Sequence, residues 1–132
     1  MINLYNGDCL KAMREMEDNA YDLAIVDPPY GRNALDGSRT ARIYGINRSK
    51  NWDCYRPTKD YFNELRRVSK NQIIWGGNYF ISDLIDTKCF LIWNKPSMIG
   101  MNTMSFGEMA WTSFDSPAKI YHGESDKLQR IH

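Results

Sequence analysis

The decapeptide DLAIVDPPYG, residues 22–31, joins a hydrophobic strand to a turn that contains an acid, two prolines and a tyrosine. The apolar residues of 22–26 favour a strand, but neither Pro28 nor Pro29 can donate a ladder hydrogen bond, so strand pairing must stop there. The strand therefore brings Asp27 to its carboxyl end. In open α/β sheets, that edge is where ligands bind.

Strands and helices are predicted to alternate on both sides of this stretch. Upstream, residues 2–5 predict a short strand, and Asp8 is a candidate N-cap for a helix that extends to about Met16. The downstream predictions are a helix at 57–70, a strand at 72–76, a short helix at 78–85, and strands at 89–95, 108–114 and 118–122. The order strand, helix, strand indicates an α/β fold with a mostly parallel sheet, and the strands at 89–95 and 108–114 are expected to form an antiparallel hairpin near the C-terminus.

Length and composition favour one globular domain over residues 1–132, because 42% of the residues are hydrophobic. The three cysteines, Cys9, Cys54 and Cys89, have no CxxC spacing, which favours reduced thiols and a cytoplasmic location. No metal site is predicted, because the two histidines lie far from any pair of cysteines. Neither a signal peptide nor a membrane span is predicted, and no membrane partner is expected.

The turn itself offers two hydrogen-bond acceptors side by side, the carboxylate of Asp27 and the backbone carbonyl of Pro28. Such a pair can hold both hydrogens of an NH₂ group, as on adenine or cytosine, and it repels the carbonyl oxygens of thymine and uracil. Held in this way, the amine nitrogen directs its lone pair outward and can attack an activated methyl group. Tyr30 can stack on a base that has been flipped out of the duplex. The alternative is a rigid turn that only ends the strand.

Five segments together resemble the permuted β-type amino-methyltransferases of DNA, in which DPPY follows a hydrophobic strand. They are NLYNGDCLKAM, DLAIVDPPYG, NELRRVSKNQIIWGGNYF, CFLIWNKP and FGEMAWTSF. The resemblance implies a Rossmann-like methyltransferase fold, S-adenosylmethionine as cofactor, double-stranded DNA as partner, and a bacterial or phage source. By this resemblance Asp27, Pro28, Pro29 and Tyr30 are the catalytic motif, and Gly7, Asp8, Cys9 and Asp27 contact the cofactor. Asp8 can equally serve only as an N-cap.

The implied reaction is site-specific methylation of the adenine N6 amine, as in restriction–modification systems, and N4-cytosine methylation is the alternative chemistry. The family continues with a segment like HPTQKP and a glycine-rich FxGSG turn that binds the cofactor, whereas the 132 residues contain neither and end at QRIH. We therefore expect a catalytic-motif part without its cofactor-motif part, inactive alone and completed by a missing C-terminal half or a second chain. A non-catalytic subunit of a split methyltransferase is a further alternative.

The segment 31–56 is a basic loop. It has six basic and two acidic side chains, whereas residues 1–30 have two basic and six acidic ones and the whole chain has a net charge of +1. The candidate DNA-binding residues in it are Arg32, Arg39, Arg42, Arg48 and Lys50. A solvated surface loop is the alternative for this charge run. The strand tryptophans Trp75, Trp93 and Trp111 are expected in the core.

Overall fold

The computed structural model describes residues 1–31, 55–95 and 107–123. The first helix, α1, spans Cys9–Arg14, and the Asp8 side chain caps it by accepting a hydrogen bond of 3.1 Å from the Lys11 backbone N–H. This confirms the N-cap, although the helix ends before Met16. The predicted strand at 2–5 is wrong: no strand forms there, because no described strand pairs with these residues and they remain exposed.

Strand β1 comprises Tyr21–Val26, and the second helix, α2, comprises Lys59–Val68. The apolar residues of α2 recur every three or four positions and therefore lie on one buried face. These buried side chains are Tyr61, Phe62, Leu65 and Val68. They pack with Met13 of α1 and with Ile74, Phe80 and Trp111 to form the core. The predicted helix at 57–70 is confirmed with shorter bounds.

The remaining strands are β2 (Ser69–Trp75), β3 (Phe90–Asn94), β4 (Gly107–Thr112) and β5 (Lys119–His122). The sheet has the order β1-β2-β4-β3-β5. The predicted β3–β4 antiparallel hairpin is confirmed. The expectation of a mostly parallel sheet is wrong, because β4 lies between β2 and β3 and pairs antiparallel with both. Only β1–β2 and β3–β5 are parallel pairs, so the protein has a mixed, open α/β sheet.

Because four of these five strands run in one direction, their carboxyl ends share one edge of the sheet. Asp27, Gly76, Lys95 and Gly123 follow these four strands at that edge. At Gly76 the backbone adopts a left-handed conformation with φ of +66°, and a short 3-10 helix, Gly77–Tyr79, follows. The longer helix predicted at 78–85 is wrong, because a turn replaces it in which the Asp83 and Leu84 amides both donate to the Phe80 carbonyl.

The three strand tryptophans have different environments. Trp111 is 2% exposed, and its indole N–H donates to the Ile85 carbonyl at 2.9 Å, so the core prediction is confirmed there. Trp75 is half-buried. The core prediction for Trp93 is wrong, because this side chain is 40% exposed at the carboxyl end of β3 and Lys95 lies over its ring.

Strand β1 forms one edge of the described sheet and pairs only with β2 among the described strands. One of its faces carries Tyr21, Leu23 and Ile25, and these side chains are 50%, 42% and 61% exposed. In the described part of the chain, this edge therefore combines backbone groups that have no second strand to pair with and an exposed apolar face. Within the described ranges, no helix has the length and apolar character needed to cross a membrane.

Candidate active site

The turn after β1 holds an acid and a phenol in direct contact. The Tyr30 hydroxyl donates a hydrogen bond of 2.8 Å to Oδ1 of Asp27. Pro28 and Pro29 lie between the two residues and restrict the backbone, since each proline ring fixes its own φ angle. The sequence therefore builds a short, stiff connection in which Asp27 is an acceptor and Tyr30 is its donor.

The Tyr30 ring lies against the end of strand β2. A Cβ atom added to Gly76 would be 2.2 Å from Cε1 of Tyr30, so the ring occupies the space that any side chain at position 76 would need. Tyr79 lies beside the ring with a centroid separation of 4.7 Å, and Phe80 lies at 6.0 Å. Glycine is therefore favoured at position 76 for two reasons: the backbone there is left-handed, and the Tyr30 ring leaves no room for a side chain.

Tyr30 remains a neutral hydrogen-bond donor. Partial burial, followed by its hydrogen bond to the Asp27 carboxylate, raises the pKa of the Tyr30 phenol well above its ordinary value. Both causes act in the same direction, since burial disfavours the phenolate and an adjacent carboxylate repels it. At neutral pH the proton stays on Tyr30, and the carboxylate accepts.

An open cleft of about 640 Å³ lies beside the turn. Six of the predicted site residues line it: Gly7, Asp8, Cys9, Asp27, Pro28 and Pro29. The structure thus brings the start of α1 and the end of β1 together around one cavity, of the size that small-molecule sites have. Tyr30 is not part of this lining. Its half-buried ring contacts Gly76 and Tyr79 instead.

Other lining residues were not predicted from the sequence as parts of the site. They are Leu10, Val26, Tyr55, Arg56, Pro57, Thr58 and Tyr61. Tyr61 belongs to the buried face of α2, and burial raises the pKa of its phenol to about 12. The sequence places Pro57 and Thr58 at a helix start, but no local signal shows that this start lies opposite Asp27, because that placement depends on packing between distant segments.

Arg56 is the one cation of the basic loop that the described residues include. Its guanidinium forms an ion pair of 2.5 Å with Asp83 and donates a hydrogen bond of 3.0 Å to Oγ of Ser82. It also lies 5.5 Å from the centroid of the Phe80 ring. The five predicted DNA-binding residues, Arg32, Arg39, Arg42, Arg48 and Lys50, lie outside the described residues.

If S-adenosylmethionine, the cofactor that the resemblance implies, bound in this cleft, the lining would suit its nucleoside part better than its methionine part. Apolar side chains and two carboxylates, Asp8 and Asp27, line the cavity, and a carboxylate is a natural acceptor for ribose hydroxyl or purine amine groups. Arg56 is the cation among the lining residues, and its charge is already balanced by Asp83. The methionine carboxylate therefore has no unpaired cationic side chain to meet in the described lining.

Further polar contacts lie along the same sheet edge. Lys95 pairs with Glu108, and the Asn94 side-chain amide lies 3.2 Å from Nδ1 of His122. Among the residues that the structure describes, no group of three or more His, Cys, Asp or Glu side chains is arranged to hold a metal ion. No protein-family model matches the chain, and no curated protein matches it as a relative.

Proposed function

We propose that this chain carries the amine-binding part of a DNA amino-methyltransferase that acts on the N6 amine of a flipped adenine, within a Rossmann-like methyltransferase fold. The observation that supports the proposal most is the position of Asp27: it ends an edge strand, lines an open cleft and keeps a fixed contact with Tyr30. An exposed carboxylate that lines a nucleoside-sized cavity suits an exocyclic amine.

In the proposed mechanism, the adenine amine donates one hydrogen bond to the Asp27 carboxylate and the other to the Pro28 carbonyl. The carboxylate can accept from Tyr30 and from the substrate together, since its two oxygens offer about four acceptor sites. Holding both hydrogens directs the nitrogen lone pair away from the ring system and toward the cleft. Positioning then supplies much of the rate enhancement.

S-adenosylmethionine, when bound, would supply the methyl group: the amine nitrogen would bond to the methyl carbon as the carbon–sulfur bond breaks, and S-adenosylhomocysteine would leave as a neutral thioether. As the new nitrogen–carbon bond forms, positive charge develops on the amine nitrogen, and the Asp27 carboxylate lies where it stabilises that charge. The methylated nitrogen would lose its proton only afterwards, to solvent water beside the exposed Asp27. Gly7, Asp8 and Cys9 line the part of the cleft where the nucleoside end of the donor would bind.

Methyl transfer is tested by incubating DNA with S-adenosylmethionine and the protein, followed by nucleoside digestion and mass spectrometry. The proposal is supported if the parent protein forms N6-methyladenine and the Asp27→Asn variant does not. Removing the charge should lower the rate by about 10²–10³-fold, as losing one charge-stabilising group does in other enzymes. Asp22→Asn is the matched control, because Asp22 is an exposed carboxylate paired with Lys70. N4-methylcytosine without N6-methyladenine would establish the alternative chemistry.

A second candidate function is a non-catalytic subunit that depends on another polypeptide for the cofactor. It is favoured by the missing cationic partner for the methionine carboxylate in the described cleft. Cys9 provides a test, since it is exposed in the cleft whereas Cys89 is buried. In a Cys54→Ser background, S-adenosylmethionine should slow alkylation of Cys9 if the isolated chain binds the donor. An unchanged alkylation rate, together with unmethylated DNA, favours the subunit function.

A further inference from the structure

Arg56 lies against two segments that both adjoin Tyr30: the Gly31 end of the DPPY turn and the turn that contains Phe80. Arg56 lies directly beside Gly31, the residue after Tyr30: a Cβ atom added to Gly31 would be 3.0 Å from Cβ of Arg56 and 3.1 Å from its backbone nitrogen. Gly31 has a φ of +67°, so the chain turns sharply at this contact. Arg56 therefore limits where the end of the DPPY turn can lie.

Arg56 also contacts Phe80, whose ring lies beside the ring of Tyr30. The Arg56 guanidinium lies over the Phe80 ring, and that ring is fully buried with its centroid 6.0 Å from the Tyr30 centroid. Asp83 holds the guanidinium by an ion pair, and the Asp83 amide donates to the Phe80 carbonyl at 2.8 Å. The ion pair thus fastens Arg56 to the same turn that contains Phe80.

We propose that Arg56 is a positioning residue, whose ion pair with Asp83 holds Gly31 and Phe80 against Tyr30 and thereby keeps the phenol in hydrogen-bonding contact with Asp27. This assignment rests on the proposed function only in that Asp27, to which Tyr30 donates, is the group that meets the substrate. In this role Arg56 differs from a phosphate-binding cation, because Asp83 neutralises its charge within the protein.

The test follows the environment of Tyr30 itself and needs no methyl transfer. 3-Fluorotyrosine is placed at position 30, and its ¹⁹F resonance is recorded in the full chain. In the parent protein we expect one resonance shifted from that of the free amino acid. Arg56→Gln and Asp83→Asn should each move it toward the free value or split it, and the exchanged pair Arg56→Asp with Asp83→Arg should restore much of the original shift.

Lys88→Gln is the control, since Lys88 forms an exposed ion pair of 2.5 Å with Asp115 before strand β3, at the sheet edge opposite Tyr30. It should leave the resonance unchanged. Arg56→Lys preserves the charge and serves if the neutral variants do not fold. It should shift the resonance detectably but less than the loss of charge does, because lysine keeps the charge and lacks the planar fork.

An unchanged ¹⁹F resonance in folded Arg56→Gln, Asp83→Asn or Arg56→Lys would overturn the positioning role. The result is independent of catalysis. Equal affinity of the protein for deoxyadenosine and deoxyinosine monophosphate contradicts the proposed function alone, whereas an unchanged resonance contradicts the positioning role alone.

Discussion

Asp27 and Tyr30 are in contact without any ligand, because the Tyr30 hydroxyl donates to the carboxylate. This contact depends on residues that are far away in the sequence. The ring of Tyr30 fits only because position 76 has no side chain, and Tyr79 and Phe80 restrict its other faces. The acceptor at position 27 is thus held by a tyrosine that is itself held by the end of β2.

Gly76→Ala tests this dependence on the end of β2. The new methyl group would collide with Tyr30, and alanine is strained at φ of +66°, so we expect the free energy of unfolding to fall by about 2–3 kcal/mol. Denaturant unfolding measures the change. Gly7→Ala is the control, since nothing lies within 4 Å of its added Cβ, and it should change stability by less than about 0.5 kcal/mol.

A Tyr30→Ala change in the Gly76→Ala background should recover the part of the loss that comes from the collision. The penalty for the left-handed backbone should remain. Equal unfolding free energies for Gly76→Ala and Gly7→Ala would contradict the packing of Tyr30 on Gly76.

At the residue scale, the sequence predicts which groups of the turn can accept hydrogen bonds but not which residues surround them. The DPPY residues identify the acceptors, and the candidates Gly7, Asp8 and Cys9 line the same cleft as Asp27. The packing of Tyr30 on Gly76 and the ion pair of Arg56 with Asp83 could not be predicted. Each joins segments whose relative position only the folded chain determines.

The two helices are joined by one arginine of α2. Arg67 donates to the carbonyls of Met13 and Met16 at 2.7 and 2.8 Å, and it forms ion pairs with Asp18 and Glu64. Met13 lies in the last turn of α1 and Met16 lies just beyond it, so this guanidinium joins the end of α1 to α2. Helix α1, which begins at the cleft with Cys9, is thereby fixed to α2.

Tyr61 of α2 makes stability depend on pH in alkaline solution. Burial raises its pKa to about 12, above the value of about 10 for a free phenol, so the folded state holds this proton more tightly than the unfolded state. The resulting stabilisation is present below pH about 10 and is lost as the pH rises toward 12. We expect unfolding at several pH values to show a loss of about 1–2 kcal/mol for this group.

Tyr61→Phe should flatten that part of the pH profile, whereas Tyr21→Phe, which changes a half-exposed tyrosine, should leave it as in the parent. An identical alkaline slope in the parent and in Tyr61→Phe would rule out a buried phenol at position 61.

The predicted elements agree with the structure wherever apolar periodicity is strong and a partner is present. Helix α2 is an example, because its buried face alone specifies it. Residues 2–5 have the composition of a strand, but a strand needs a neighbour to exchange hydrogen bonds, and none of the described strands provides one. The sequence likewise does not predict that β4 pairs antiparallel with β2, because the whole sheet determines which strands become neighbours.

At the scale of the whole molecule, the cleft and the exposed edge share strand β1. Its carboxyl end delivers Asp27, while Tyr21, Leu23 and Ile25 remain accessible along its face. A sheet edge with an apolar face favours contact with another polypeptide. That a further polypeptide segment packs on this edge stays a prediction.

Leu23→Lys should reduce concentration-dependent association of the chain, measured by sedimentation velocity, because a charged side chain on an edge strand opposes further pairing. Ile85→Lys is the control, since Ile85 is 58% exposed but lies outside the sheet. Association that is equal in the parent and in Leu23→Lys would exclude β1 as the contact surface.

The central claim is that Asp27 and the Pro28 carbonyl recognise a nucleobase amine, and saturation-transfer NMR tests it most directly. The ligands are deoxyadenosine monophosphate and deoxyinosine monophosphate, which carry an amine and a carbonyl oxygen respectively at position 6 of the purine. We predict clear transfer to the adenine protons and affinity at least about fivefold lower for inosine, since each lost hydrogen bond is worth about 1 kcal/mol. Asp27→Asn should remove most of this preference. Equal transfer to both nucleotides, or a preference that survives in Asp27→Asn, would contradict the claim.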